Sequence, residues 1–147
     1  MKPKTFLIIS IVLFICGCSE DTAKLLSERY NAAMVVYHET DPKAAEEALV
    51  SLHALLVEKR QEAPGAVNYD ELEGIVNLRL YGLYESTGRL VEATDALQHS
   101  VRLLHRRLTS ATDDSQRKEQ LKALLIELER EFPPKWKLAN TGRPIAP

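Results

Sequence analysis

Five successive stretches between residues 21 and 132 carry apolar side chains three and four positions apart, and both prolines in that interval, Pro42 and Pro64, stand at junctions between stretches. Such spacing gathers the apolar groups into one stripe of an α-helix. A proline inside a helix would remove a hydrogen bond and clash with the preceding turn, so its confinement to junctions agrees. The expected fold class is all-α, with about five helices over residues 21–132: two antiparallel, repeat-like hairpins plus a C-terminal capping helix.

The first helix is expected from about residue 23 to residue 38, with Leu26, Tyr30, Ala33, Met34 and Tyr37 on its stripe and Asp21 or Thr22 as its cap. Asp41 caps the second and Pro42 takes its first position, where a missing N–H is no loss. That helix runs to about residue 60 and buries Ala45, Ala48, Leu49, Leu52, Leu55 and Leu56. Helices of similar length joined by so short a turn fold back on each other. Ala63-Pro64-Gly65 opens an internal linker, and Asn68 with Glu71 has capping-box spacing. The third helix carries Leu72, Ile75, Val76, Leu80, Leu83 and Tyr84 and stops at Gly88, a residue suited to the left-handed conformation past a helix end. The fourth spans about 90–108, with Ala93, Leu97, Val101 and Leu104 inward. Asp113 and Gln116 mark the start of the fifth, Leu121, Leu124, Leu125, Leu128 and Phe132 its stripe, and Pro133-Pro134 its end. Residues 133–147 hold four prolines and are expected to be extended.

Ahead of this domain, Lys2 and Lys4 precede an apolar run over residues 6–15 broken only by Ser10. That is the layout of a secretory signal. A membrane span needs about 20 residues, more than the stretch from residue 6 to residue 18 provides. The run ends in Ile15-Cys16-Gly17-Cys18, which resembles the lipobox of bacterial lipoproteins: a branched residue and two small ones before a cysteine that is acylated and becomes the new N-terminus. The resemblance implies that residues 1–17 are removed as a signal peptide, that Cys18 is lipidated, and that its acyl chains hold the protein to a membrane. Residues 18–20 then form a very short tether, with on the order of 10 Å of slack. Ser19 stands where inner-membrane lipoproteins carry Asp, which implies an outer-membrane location facing the periplasm.

Processing would leave one domain of 130 of the 147 residues. Loss of Lys2 and Lys4 takes the 19 basic residues to 17 against 21 acidic ones, a formal balance of −4. No global basic surface exists for nucleic acid. Cys16 leaves with the signal and Cys18 is taken up by lipid, so the domain has no disulfide, thiolate metal site or cysteine nucleophile.

Leu80, Tyr84, Gly88, Glu92-Ala93 and Leu97, with small Ser100 after them, resemble a tetratricopeptide repeat: a large apolar residue and a Tyr one turn apart, a Gly ending the helix, and an Ala closing the pair. Asn77 and Tyr81 depart from the family pattern, and the first hairpin fits it loosely. In such stacks the first helix of each pair lines an inner face, so the resemblance implies that Arg79, Gly82, Glu85 and Ser86 face a partner groove. Arg79 is the foremost candidate, able to hold a partner carboxylate, with Gly82 leaving room for a backbone. On this reading, charge reversal at Arg79 disturbs binding and leaves stability alone.

The chemistry of the chain is sparse. His38, His53, His99 and His105 never fall three or four apart, and no Cys/His cluster, nucleophile elbow or phosphate loop is present. No enzyme activity, metal, cofactor or small-molecule substrate is therefore expected. Glu46-Glu47 and Asp113-Asp114 lie at helix starts, where negative charge suits the dipole. Arg102, His105, Arg106 and Arg107 crowd the end of the fourth helix; they either complement its dipole or contact headgroups or a partner. Trp136, between Lys135 and Lys137, either folds back over the fifth helix or serves as a wedge at a membrane interface or in a partner groove. The function expected is a membrane-anchored interaction or assembly module, pilotin-like or a scaffold, for another envelope protein. The alternative is an inhibitor or immunity lipoprotein that neutralises a periplasmic enzyme.

Overall fold

The computed structural model describes residues 20–108 and 110–140, the side chain of Asn140 excepted. Residues 1–17 and Cys18 lie outside the described residues. Among the described residues the fold is all-α: α1 (Glu20–Glu39), α2 (Pro42–Glu62), α3 (Tyr69–Ser86), α4 (Leu90–Leu103), a 3-10 turn (His105–Arg107), α5 (Asp114–Arg130) and α6 (Lys135–Asn140). α1 is already helical at Glu20, so Asp21 and Thr22 belong to its first turn instead of capping it. Asp21 there still suits the positive end of the helix.

Local chemistry sets most of the other boundaries. The Asp41 carboxylate accepts from the N–H groups of Lys43 and Ala44 at 2.9 and 3.0 Å, occupying two donors that a helix start leaves free. Asn68 accepts from Glu71 N–H at 3.2 Å, and Asp113 from Gln116 N–H at 2.8 Å. Gly88, at φ 76°, closes α3. Its N–H bonds the Glu85 carbonyl while Arg89 N–H reaches back to Tyr84, a paired closure that needs the left-handed residue between them. α4 is shorter than its periodicity predicts. The 3-10 turn ends it and redirects the chain while Leu104, Leu108 and Ala111 stay buried.

Consecutive helices pack on one another from α1 to α5, α3 also touches α5, and α6 returns to α1. With α2, α4 and α5 around it, α3 buries far more than a stripe: Tyr69 and every residue from Leu72 to Leu83 are shielded. Close approach explains its two glycines. A Cβ on Gly74 would stand 2.5 Å from Leu104 Cγ, and one on Gly82 would stand 2.7 Å from Leu125 Cδ2. Beside Gly74, the Ser100 hydroxyl donates to the Gly74 carbonyl at 3.0 Å and so satisfies its own buried oxygen.

The expected extended tail is corrected in part, because Lys135–Asn140 is helical. Pro133 and Pro134 end α5, but the Pro134 carbonyl accepts from Lys137 and Leu138 N–H and opens a new turn. A helix so short gains its stability from packing, and Trp136 supplies that by burial against α1. Phe132, expected on the α5 stripe, is half exposed, since it lies beyond the end of that helix. Residues 141–147 lie outside the described residues.

Candidate interaction site

The residues that join the first, central and last helices gather around one side chain, Tyr37, near the C-terminal end of α1. Tyr37 is the end of the α1 stripe and is fully buried. Arg79 of α3 stands over its ring, with Cζ 5.0 Å from the centroid. Trp136 of α6 meets the same ring edge-on at 5.6 Å, and His38 does so at 5.1 Å. The Tyr37 hydroxyl donates to Glu129 Oε1 of α5 at 2.5 Å, and Lys137 Nζ donates to Oε2 at 2.7 Å. Trp136 Nε1 donates to the Tyr37 carbonyl at 2.9 Å. That carbonyl is among the last four of α1, which have no partner within the helix. Lys135 pairs with Glu39 at the rim.

The electrostatics follow from burial. Burial first, and then the Glu129 charge and hydrogen bond, push the Tyr37 hydroxyl well above the usual phenol range. Burial and the neighbouring Arg79 cation push His38 below the usual imidazole value. On α3, burial and Glu85 likewise raise Tyr81. Arg79 is 4 % exposed, and its Nε and Nη1 have no hydrogen-bond partner among the described residues. Glu129, 5 % exposed, supplies negative charge to this cluster. The cluster can seat an indole and hold flanking cations.

A pH dependence results. Tyrosines in the unfolded chain ionise near pH 10, while Tyr37 and Tyr81 in the fold keep their protons to higher pH. The folded state therefore binds more protons above about pH 10, and stability falls as pH rises through that point. Urea melts between pH 8 and 11 should show the fall, and Tyr37→Phe should flatten it. An unchanged slope in Tyr37→Phe would assign the effect to other groups.

The site residues expected from sequence divide. Arg79 and Gly82 do not face a groove: Tyr37 of α1 covers the first and Leu125 of α5 fills the space beside the second. Trp136 is no exposed wedge, since it is buried against α1. Glu85 is exposed, its carboxylate accepting from Tyr81 Oη at 2.7 Å. Ser86 is half-buried and its hydroxyl donates to the Leu83 carbonyl at 2.8 Å. Arg102, His105, Arg106 and Arg107 are exposed, and Arg107 pairs with Glu71 of α3. A shallow hollow of about 330 Å³ beside it is lined by Arg107, Leu108, Gln120 and Leu124. Among the described residues no group of three or more His, Cys, Asp or Glu is placed to hold a metal ion, and no helix is long and apolar enough to cross a membrane.

Sequence reasoning missed Glu129, and with it the partner that holds Lys137 beside Trp136. Glu129 carried a readable signal, because it continues the buried series Leu121, Leu125 at four-residue spacing, and a carboxylate on a buried stripe needs a partner. Comparison with protein-family models, with curated proteins and with solved structures gave no match.

Proposed function

We propose that the chain is a membrane-anchored interaction module of a bacterial envelope, held by acyl chains on Cys18 and engaging another envelope protein. The observation that carries this reading is the Ile15-Cys16-Gly17-Cys18 motif at the end of a short apolar run, with one residue between Cys18 and the start of α1 at Glu20. So short a connection keeps the domain close to the headgroups. Ser19 favours the outer membrane, on its periplasmic face. The repeat-like arrangement of two antiparallel hairpins and a capping helix is part of the same proposal. Its support is the Gly88 closure between α3 and α4 and the burial of Ala93, Leu97 and Ser100 along α4.

Cys18→Ala tests the anchor. Each buried CH₂ of an acyl chain contributes about 0.8 kcal/mol, and two chains hold a protein stably where one does so marginally. The parent should stay in the membrane fraction through a high-salt wash and carry acyl mass on Cys18. The alanine variant should accumulate as unprocessed precursor or as unacylated chain. Normal processing and retention of the variant would remove the lipoprotein reading, and capture of envelope proteins from solubilised membranes tests the module itself.

A further inference from the structure

Three features set α6 apart from the rest of the fold. It has six residues, too few to persist as a helix on its own. Pro133 and Pro134 break its continuity with α5, so its departure need not unravel that helix. Its polar attachment is compact: the indole N–H on the Tyr37 carbonyl, Lys137 on Glu129 and Lys135 on Glu39. The seat it occupies has a defined chemistry, with an aromatic wall from Tyr37, a helix-terminal carbonyl at the negative end of the α1 dipole, and carboxylates at its inner and outer edges.

We propose that this seat is a recognition site for a protein segment in which an aromatic residue is flanked by lysine or arginine, and that Lys135-Trp136-Lys137 fills it as the chain's own displaceable ligand. The tail is an incomplete occupant, because it leaves Nε and Nη1 of buried Arg79 without partners. A segment that also brings an oxygen acceptor to Arg79 makes bonds the tail does not make, and so competes with a ligand that is covalently attached. The seat is closed until such a segment arrives, and the lysines of the displaced tail are then released from Glu39 and Glu129.

The inference rests on the interaction-module reading, and the two fail separately. Loss of partner capture from membranes with peptide binding retained counts against the module; absent peptide binding in a chain that still captures a partner counts against this seat. The probe is a synthetic peptide of residues 132–140, and the protein is the full chain in detergent. Trp136→Leu empties the seat of its indole, leaving the peptide tryptophan as the sole indole in the sample. Saturable binding with a blue-shifted peptide emission is expected. Wild type should bind at least about tenfold more weakly, as an attached ligand competes. A peptide with both lysines changed to glutamate should not bind. The double variant Lys135→Glu, Lys137→Glu provides an independent opening, in which Trp136 emission should shift to the red while the melt stays cooperative and the parent peptide binds. Variants that fold but bind the peptide no better than wild type overturn the proposal. Loss of cooperative melting in both variants overturns it as well, since the tail would then be an integral part of the core.

Discussion

Arg79→Glu should lower the unfolding free energy by about 3–5 kcal/mol, the usual cost of leaving a buried charge uncompensated. The groove-facing position that the repeat resemblance implies would make the same change nearly silent, within about 0.5 kcal/mol. Burial decides between them. The guanidinium stands over Tyr37 at 5.0 Å and lies in the same buried cluster as the Glu129 carboxylate. Reversal removes the cation–π contact and places a second carboxylate in that cluster, while Tyr37 still holds its bond to Glu129. Urea unfolding followed by circular dichroism gives the difference directly. A midpoint equal to that of the parent would put Arg79 in solvent and dissolve the cluster described around Tyr37.

Leu78→Ala should cost about 2–5 kcal/mol, the range for deleting a fully buried leucine. Leu78 has no exposure and lies off the stripe that periodicity assigns to α3. An amphipathic helix with one buried face would leave that position in water and make the substitution almost neutral. The large loss is therefore a test of α3 as a helix enclosed by neighbours, and a loss below about 1 kcal/mol, the scale of ordinary surface changes, would contradict it.

These two residues also mark where the sequence stops being legible. Ends fixed by local chemistry were readable: Asp41, Asn68 and Asp113 each cap the helix expected of them, because a side chain bonding a backbone N–H two or three residues on needs nothing from the rest of the fold. The inward residues of α2 were readable for the same reason. Ala45, Leu49, Leu52 and Leu56 are all buried, and an outer helix shows one face to the core. α3 was not. Its far side is covered by α5 at Gly82 and by Tyr37 of α1 at Arg79, and no pattern within α3 reports either neighbour. Arg79 and Gly82 therefore read as open surface when they are contact points. α6 was hidden by the prolines before it, which announce the end of one helix but not the start of another.

The bond from the Trp136 indole to the Tyr37 carbonyl joins residues 99 positions apart, and that from Tyr37 to Glu129 joins residues 92 apart. Contacts of such long reach form late, because the intervening chain must first be brought together. Until Trp136 docks, the end of α1 has an unanswered carbonyl and the Tyr37 ring lacks its indole neighbour. The end of α1 therefore takes its final form only when α6 docks, while the packing of α1 to α5 on one another does not wait for it. The two ends of the chain thus meet last, on a body of helices already packed against their neighbours.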